Sequence, residues 1–330
     1  MHTPTRRAVT LGGLATGLAT GLSARLADAQ TAAWPAGQSV KMVVPFAAGG
    51  ATDVIGRLIS ERLSSRWGSP VVIENLGGAG ANIGMERVAK GPADGSQFLF
   101  TSPAVATNQF LYPKLNYDPP NDLVPVSLTA IAPALVLAKK SLEANTAAEL
   151  IAFAKANPGK LTWGHNGPGT ATHMTGELLK RMAGIEMTGL AYRSGGLAMN
   201  DLISGNIDLL VDNISSSLPQ VRAGTVKCLG VTSAKVHPPA PDLVPVATAV
   251  PGYEATAWFG IMARAGTPAA IIAKVEADAR EASRDPSLRE RLGAIATDSV
   301  GSTAAEFADL IAEERQRWGR LIKELAIKLE

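Results

Sequence analysis

Two glycine-rich stretches, each between a short apolar run and a helical pattern, carry the residues best suited to chemistry. The first spans 47–53 after the apolar run 40–44, and the second spans 77–84 after the run 71–73. A glycine-rich turn at the start of a helix presents unpaired backbone N–H groups and the positive end of the helix dipole, which favour a carboxylate or phosphate. Neither stretch contains Lys or Arg. We therefore expect dipoles rather than ion pairs to hold the anion.

A third stretch of this kind, residues 164–173, also lies between a predicted strand and a predicted helix. Thr170 or Thr172 is expected to cap that helix, and the nearby N–H groups could face a ligand from the side opposite the first two loops. Tyr192 and Asp212 each follow a further apolar run and should lie close by.

Catalytic motifs find little support in this chain. His165 and His173 have no acidic or Cys neighbour at metal-ligand spacing, and the sequence contains no H-E-x-x-H, G-x-S-x-G or C-x-x-C. The glycines 78, 80 and 84 resemble a dinucleotide fingerprint, but the last one comes a residue too late, and a phosphate loop would need a Lys after its glycines. The sequence therefore predicts no enzyme, no cofactor and no metal, with a nucleotide-binding enzyme left as an alternative.

The elements that must position these loops alternate regularly between strand and helix, which predicts an α/β fold with largely parallel sheets. Apolar segments within 126–137 and 258–263 read as strands that cross between two domains. We predict a first domain formed by 38–134 together with 258–330, and a second domain formed by 135–257. In the last helix, an apolar stripe should pack into the core; its members are Phe307, Leu310, Ile311, Trp318, Leu321 and Leu325.

The first 29 residues read as an export signal. Arg6 and Arg7 precede a weakly apolar stretch, and Ala27-Asp28-Ala29 supplies a small-x-small cleavage site. Both a twin-arginine and an ordinary secretory route fit this segment. Its removal would take away three of the 31 basic and one of the 29 acidic residues, which leaves a formally neutral chain. Without a basic excess we expect no binding to nucleic acid or to an anionic membrane.

The ordered motifs of the chain resemble the solute-binding receptors of tripartite tricarboxylate transporters, also called Bug proteins. The resemblance begins at Val43-Val44-Pro45-Phe46 with 49–53, and continues through 72–75 and 78–84. It extends to the end of the chain through 112–115, 167–170, 212–213, 229–235, 251–254 and 265–268.

This resemblance implies a two-domain periplasmic binding protein with a clamshell, type II-like architecture, in which each domain has a mainly parallel sheet flanked by helices and two crossing segments join the domains. It also implies a monomeric receptor in the periplasm that captures a small carboxylate (a dicarboxylate, a tricarboxylate, an aromatic acid or an acidic amino acid) and delivers it to a membrane permease. A periplasmic sensor that docks on a signalling protein is the alternative from another class.

Carried over to this chain, the resemblance implies ligand contacts on both sides of a cleft. The first domain would contribute Ala48, Gly49, Gly50, Thr52, Asp53, Gly78, Ala79, Gly80, Asn82 and Ser102. The second domain would contribute His165, Gly167, Gly169, Thr170, His173, Tyr192 and Asp212. His165 stands where the family often has a small residue, so it could tune the choice of ligand.

For three charged residues the sequence allows two different roles. Asp53 could cap a helix or contact the ligand, and its charge would repel a carboxylate beside it. Asp212 would favour a ligand amine if it faces the cleft, and is otherwise structural. Arg193 is the one cation beside a predicted cleft loop, and we expect it to point to solvent or to pair with an acid elsewhere.

The cleavage pattern makes a first testable prediction. The mature protein should begin at Gln30, because cleavage is expected directly after Ala29. Mass spectrometry of the exported protein measures this start. A start more than a few residues away, or stable retention in the membrane, would contradict it.

Overall fold

Each apolar run before a glycine-rich stretch forms a strand, and each stretch leads into a helix. The computed structural model describes residues 34–327, so the predicted export signal lies outside the described residues. The strands are β1 (Val40–Val44), β2 (Val71–Asn75), β3 (Gln97–Thr101), β4 (Leu123–Ala138), β5 (Thr162–His165), β6 (Thr188–Ala191), β7 (Leu209–Asn213), β8 (Lys227–Val231), β9 (Thr256–Arg264) and β10 (Asp298–Ser299).

The helices alternate with these strands. They are α1 (Ala51–Trp67), α2 (Asn82–Ala89), α3 (Ala104–Leu111), α4 (Pro119–Asp122), α5 (Ala147–Ala156), α6 (Ala171–Ala183), α7 (Gly195–Ser204), α8 (Ile214–Arg222), α9 (Ala269–Arg284), α10 (Pro286–Ala294) and α11 (Ala304–Glu324). Short 3-10 turns occur at Ala79–Ala81 and Val246–Thr248.

The long strand β4 belongs to two sheets. Its first part pairs with β9, within the order β2-β1-β3-β9-β4, and β10 lies on its other side. From Ala134 onward it pairs with β7 and β8, within the order β4-β7-β5-β6. We refer to the halves built on these two sheets as the first and the second domain. Because the partners of β4 change between Pro133 and Ala134, we propose that the chain crosses between the domains there, and the predicted domain limits remain a proposal.

The predicted α/β, two-domain fold class is confirmed, with one refinement of the sheets. The strands that precede the cleft loops are parallel, since β1 pairs in parallel with β2 and β3, and β5 with β6 and β7. The crossing strands β4 and β9 run antiparallel to their neighbours. Each sheet is therefore mixed where the chain passes between the domains, and parallel where the cleft loops begin.

The last helix, α11, packs against the core with its apolar stripe, as predicted. Thr303 and Glu306 form a reciprocal capping box at its start, and Phe307, Trp318 and Leu321 are buried. Leu310 and Leu325 are only partly buried: Leu310 lies at the edge of the stripe, and Leu325 is the C-cap residue at the end of the helix. Trp318 and Leu321 share a small core cluster with Leu111 of α3 and Met174 of α6. Helix α11 thus contacts both domains.

Two glycines on helices offer a matched test of the packing below the cleft. A Cβ on Gly176 of α6 would lie 2.2 Å from the fully buried ring of Trp163, whereas a Cβ on Gly293 of α10 would meet open space. Gly176→Ala should therefore lower the free energy of unfolding by about 1–3 kcal/mol. Gly293→Ala should raise it by up to about 1 kcal/mol, because alanine favours the helix.

Urea denaturation of both variants measures these changes. If Gly176→Ala is as stable as the wild type, the close packing of α6 on Trp163 is contradicted.

Candidate functional site

A cavity lies between the two domains, where the parallel strands end. Much of its wall follows the carboxyl ends of β1, β3, β5, β6 and β7, the place where ligands of open α/β sheets bind. The lining residues are Phe46, Ala47, Gly50, Ala51, Thr52, Ser102, Asn166, Thr170, Ala171, Thr172, Arg193, Ser194, Gly195, Asn213, Ala257 and Phe259.

Four helices begin at this cavity. Helix α1 reaches it with residues 50–52, α6 with 170–172, α7 with 194–195 and α8 with its N-cap residue Asn213. The first N–H groups of a helix have no partner within the helix, and its dipole places partial positive charge at this end. An anion in the cavity would therefore be attracted from both domains.

A wider chamber of about 1440 Å³, open to solvent, continues from the cavity. It shares Phe46, Ala47, Asn166 and Arg193 with the inner cavity, and it adds residues 77–81 of the second glycine-rich stretch. The inner cavity and this outer chamber form one cleft.

Glycine in the second stretch allows the two domains to approach each other. Gly80 has a φ of 59°, and a Cβ there would lie 2.6 Å from the carbonyl oxygen of Pro168 in the second domain. On the opposite loop Gly169 has a φ of 77°, and a Cβ would lie 2.3 Å from Oδ1 of Asn108 on α3. Thr107 Oγ1 donates to the carbonyl of Gly169 at 2.6 Å, so this second-domain loop rests on α3 of the first domain.

Asp53 fixes the first cleft loop rather than lining the cavity. The N-cap of α1 is Gly50, so Asp53 does not cap this helix. Asp53 is the third residue of the helix and accepts from the N–H of Gly49 at 2.9 Å. Burial opposes ionisation of Asp53, but hydrogen bonds from Arg57, Gly49 and Asn75 outweigh it and hold the pKa of this carboxyl below its usual value.

Asp212 has an equivalent place behind the second domain's loops. It is buried, and its carboxylate accepts from Asn166 Nδ2 at 3.0 Å, Ser216 Oγ at 2.9 Å and Ser217 Oγ at 2.6 Å. It does not line the cleft. Of its two interpretations, these contacts support the structural one.

The two histidines form a stack with Trp163 below the third glycine-rich stretch. The ring centroids of His165 and His173 lie 4.4 Å apart, and those of Trp163 and His165 lie 4.9 Å apart. Burial lowers the pKa of His165 to about 4 and that of His173 to about 3. His173 Nδ1 accepts from the N–H of Gly169 at 3.2 Å, which requires that this nitrogen carries no proton.

Two other predicted residues also serve the loops. Thr170 is the N-cap of α6 and accepts from the N–H of His173, as predicted. The hydroxyl of Tyr192 donates to Asp201 at 2.7 Å, and burial raises the pKa of Tyr192 to about 12. This hydroxyl holds the loop that carries Arg193.

The structure thus distributes the predicted contact residues over three places. The inner cavity is lined by Gly50, Thr52, Ser102 and Thr170. The outer chamber is lined by Ala48, Gly78, Ala79, Gly80, Gly167 and Tyr192. Gly49, Asp53, Asn82, His165, Gly169, His173 and Asp212 line neither part of the cleft.

Several cavity residues were not among the predicted contacts. Asn166, Ser194 and Asn213 stand beside predicted residues in the loops, so their place after a strand is the signal that could have found them. Ala257 and Phe259 lie on β9, and no local pattern marks a residue of a crossing strand as a cavity wall.

Arg193 is exposed, as one of its two interpretations expected, but it also faces the cleft. It lines both the inner cavity and the outer chamber. Within residues 34–327 it belongs to no ion pair, and no carboxylate lines either part of the cleft. An anion in the cleft would therefore meet a free guanidinium as well as helix dipoles.

Other kinds of site were also sought in the described part of the chain. No three His, Cys, Asp or Glu side chains gather there in an arrangement that could hold a metal ion. None of the helices described has the length and apolar character to cross a membrane.

The chain has the fold of a periplasmic binding protein. Its two domains meet at the carboxyl ends of their strands, a cleft lies between them, and two strands cross from one domain to the other.

Solved structures of known proteins have the same fold. The protein Rpa4515 of R. palustris, solved with adipate, is 36% identical, with a TM-score of 0.86 over 90% of this chain and 100% of its own. MatC of Rhodopseudomonas palustris, solved with bound malate, is 31% identical, with a TM-score of 0.81 over 86% of this chain and 99% of its own.

Sequence comparison gives the family. Residues 55–327 match the model of the tripartite tricarboxylate transporter family receptor. Protein BugT of Bordetella pertussis is 32% identical over 297 residues, which cover 88% of this chain and 90% of that protein. The chain belongs to the tripartite tricarboxylate transporter receptor family, as its motifs predict.

The histidine stack makes stability depend on pH. In the unfolded chain both rings should have a pKa of about 6.5, well above their folded pKa values of about 4 and 3. The stabilisation is therefore complete above pH 6.5 and is lost as the pH falls toward 4, because only the unfolded chain then binds these protons. Each histidine should contribute a slope of at most about 1.4 kcal/mol per pH unit.

Urea denaturation between pH 7 and 4.5 measures this slope. His165→Phe keeps an aromatic ring in the stack and removes one of the two titrating groups, so the variant should show a shallower dependence. An unchanged slope would contradict the buried, neutral state of His165.

Proposed function

We propose that this protein is a periplasmic receptor that captures a small carboxylate between its two domains and delivers it to the permease of a tripartite tricarboxylate transporter. Membership of the receptor family supports delivery to such a permease. The receptor acts as a monomer, without a cofactor and without turning its ligand over.

One observation carries the proposal: four helix N-termini and Arg193 surround a cavity, and no carboxylate among the described residues lines it. Helix N-termini are well suited to anions, because their N–H groups are already oriented and carry partial positive charge. Arg193 adds a full positive charge and a planar pair of donors that matches a carboxylate.

The remaining wall of the cavity indicates what else the ligand contains. Phe46, Ala257 and Phe259 present apolar surface to the cavity, so the ligand should have a short carbon skeleton between its polar groups. The adipate and the malate bound to the two solved relatives are small carboxylates of this kind.

The same wall supports a receptor rather than an enzyme. Among the described residues that line the inner cavity there is no His, Cys or carboxylate to act as a base or a nucleophile beside the threonines and serines. His165 and His173 lie behind the loop in their stack with Trp163.

Ligand binding should stabilise the protein by mass action. In a thermal-shift screen of the purified protein, at least one acid among adipate, succinate, L-malate, citrate and benzoate should raise the melting temperature progressively with its concentration. A shift with ATP or NAD and with none of these acids would overturn the receptor proposal.

Arg193 gives the sharpest test of how the anion is held. Arg193→Ala should weaken binding of the acid that gives the largest shift by roughly 10- to 100-fold, because a hydrogen-bonded charge contact is lost. Thr170→Ala should have a smaller effect of about 1 kcal/mol, because it removes a helix cap at the cavity rather than a charge.

Isothermal titration at low and high ionic strength measures both variants. Binding to the wild type should weaken with salt more than binding to Arg193→Ala, because Arg193 is exposed at the cleft. Arg222→Ala is the matched control, since Arg222 lies in the same domain and pairs with Asp242 outside the cleft. Equal affinities for wild type and Arg193→Ala would show that the helix dipoles suffice.

A further inference from the structure

Helix α8 begins at the inner cavity with an N-cap residue that does not cap it. Helices α6 and α7, which start at the same cavity, are capped by the hydroxyls of Thr170 and Ser194. The N-cap residue of α8 is Asn213, and asparagine is among the best capping residues, because its oxygen can accept from an N–H group of the first turn. Here the side chain makes no capping hydrogen bond. The amide of Asn213 therefore points elsewhere.

This amide turns its donor end toward the cavity. Asn213 is only 8% exposed, and it lines the cavity. Its Oδ1 is buried and accepts no hydrogen bond from the described residues, so Nδ2 is the polar atom of this side chain that reaches the cavity. A buried oxygen without a partner is costly, and capping α8 with the same oxygen would remove that cost. An acceptor that binds to Nδ2 in the cavity would offset it instead.

The groups around Nδ2 favour the same kind of ligand atom. Arg193 lines the same cavity, and its guanidinium is a permanent cation with donors only. The start of α8, which no side chain caps, adds N–H groups and the positive end of the helix dipole. No carboxylate among the described residues lines the inner cavity. The ligand group that meets this wall must therefore be an acceptor, and negative charge on it is favoured.

We propose that Asn213 is a specificity-determining residue, whose Nδ2 donates to the carboxylate that Arg193 and the start of α8 attract. This inference rests on the proposed function, and it narrows the ligand class to acids without an amino group beside that carboxylate. An ammonium group there would face donors and positive charge, and it would leave Nδ2 without an acceptor.

Asp212 does not provide a partner for such an ammonium group. It is only 2% exposed, and it lines neither part of the cleft. Its carboxylate already accepts hydrogen bonds from Asn166, Ser216 and Ser217. A ligand ammonium would therefore contact no carboxylate in the inner cavity.

Matched pairs of acids that differ by one amino group test the selectivity. Isothermal titration compares succinate with L-aspartate, adipate with L-2-aminoadipate, and 3-phenylpropionate with L-phenylalanine. In at least one pair the acid without the amino group should bind the wild-type protein about tenfold or more tighter than its partner, and in no pair should the order be reversed.

Two variants assign this selectivity to Asn213. Asn213→Leu is similar in size and removes the donor, so it should weaken binding of the preferred acid by about tenfold or more. Asn213→Asp puts a carboxylate in place of the donor, so it should weaken that acid by about 100-fold or more and reduce the preference over the amino acid. Asn200→Asp adds the same charge at an exposed position on α7, and it should bind like the wild type.

The melting temperature without ligand separates a binding role from a structural one. Asn213 makes no capping hydrogen bond and its Oδ1 has no partner, so Asn213→Leu removes no stabilising side-chain hydrogen bond from the unliganded protein. Its melting temperature should equal or exceed that of the wild type, while its affinity for the acid falls.

The outcomes distinguish this inference from the proposed function. The role of Asn213 is overturned, and the carboxylate receptor stands, if Asn213→Leu binds the acids as tightly as the wild type or loses affinity only together with a lower melting temperature. The same holds if the amino acids bind as tightly as their partners. If the wild-type protein binds none of these acids, the proposed function fails and the inference fails with it.

Discussion

The N–H groups at the starts of four helices are the constraint on which the cleft depends. A helix cannot satisfy its first N–H groups internally, and here these groups meet at one cavity from both domains. The arrangement follows from topology, because parallel strands β1, β5, β6 and β7 end on the same side of their sheets and each leads into a helix. The cost of leaving these donors exposed in a narrow cleft falls when an anion binds.

Both domains keep their donors in place with a carboxylate that stands behind the cleft loop. Asp53 binds the N–H of Gly49 and the side chains of Arg57 and Asn75, and Asp212 binds the side chain of Asn166. Neither carboxylate lines the cavity, so neither repels an anion at contact distance. A loop fixed before binding loses less conformational entropy when the ligand arrives, which improves affinity without an added ligand contact.

The sequence predicts the scaffold of this protein better than its cavity. Strand β1 is predicted at 40–44, and helix α6 is predicted to start near its cap Thr170, because apolar runs, caps and glycines are local signals. Helices α3, α7 and α8 were not predicted: α3 is apolar over most of its length, and α8 contains Pro219. The glycine-rich loops are correctly located between strand and helix, but the side-chain directions of Asp53, His173 and Arg193 depend on tertiary neighbours. Local sequence patterns therefore predict where the loops lie, but they do not predict which loop residues face the cavity.

The division of labour within the cleft explains how one fold can serve different carboxylates. Backbone N–H groups recognise negative charge but cannot distinguish one acid from another, and the apolar surface of Phe46 and Phe259 sets little more than size. Discrimination must therefore come from the few polar side chains that the loops add, such as Asn166, Asn213 and Arg193. These side chains stand on loops that Asp53, Asp212 and the Trp163 stack hold in place. The backbone of the fold therefore recognises the charge of the ligand, and a few side chains in the cleft loops determine which carboxylate binds.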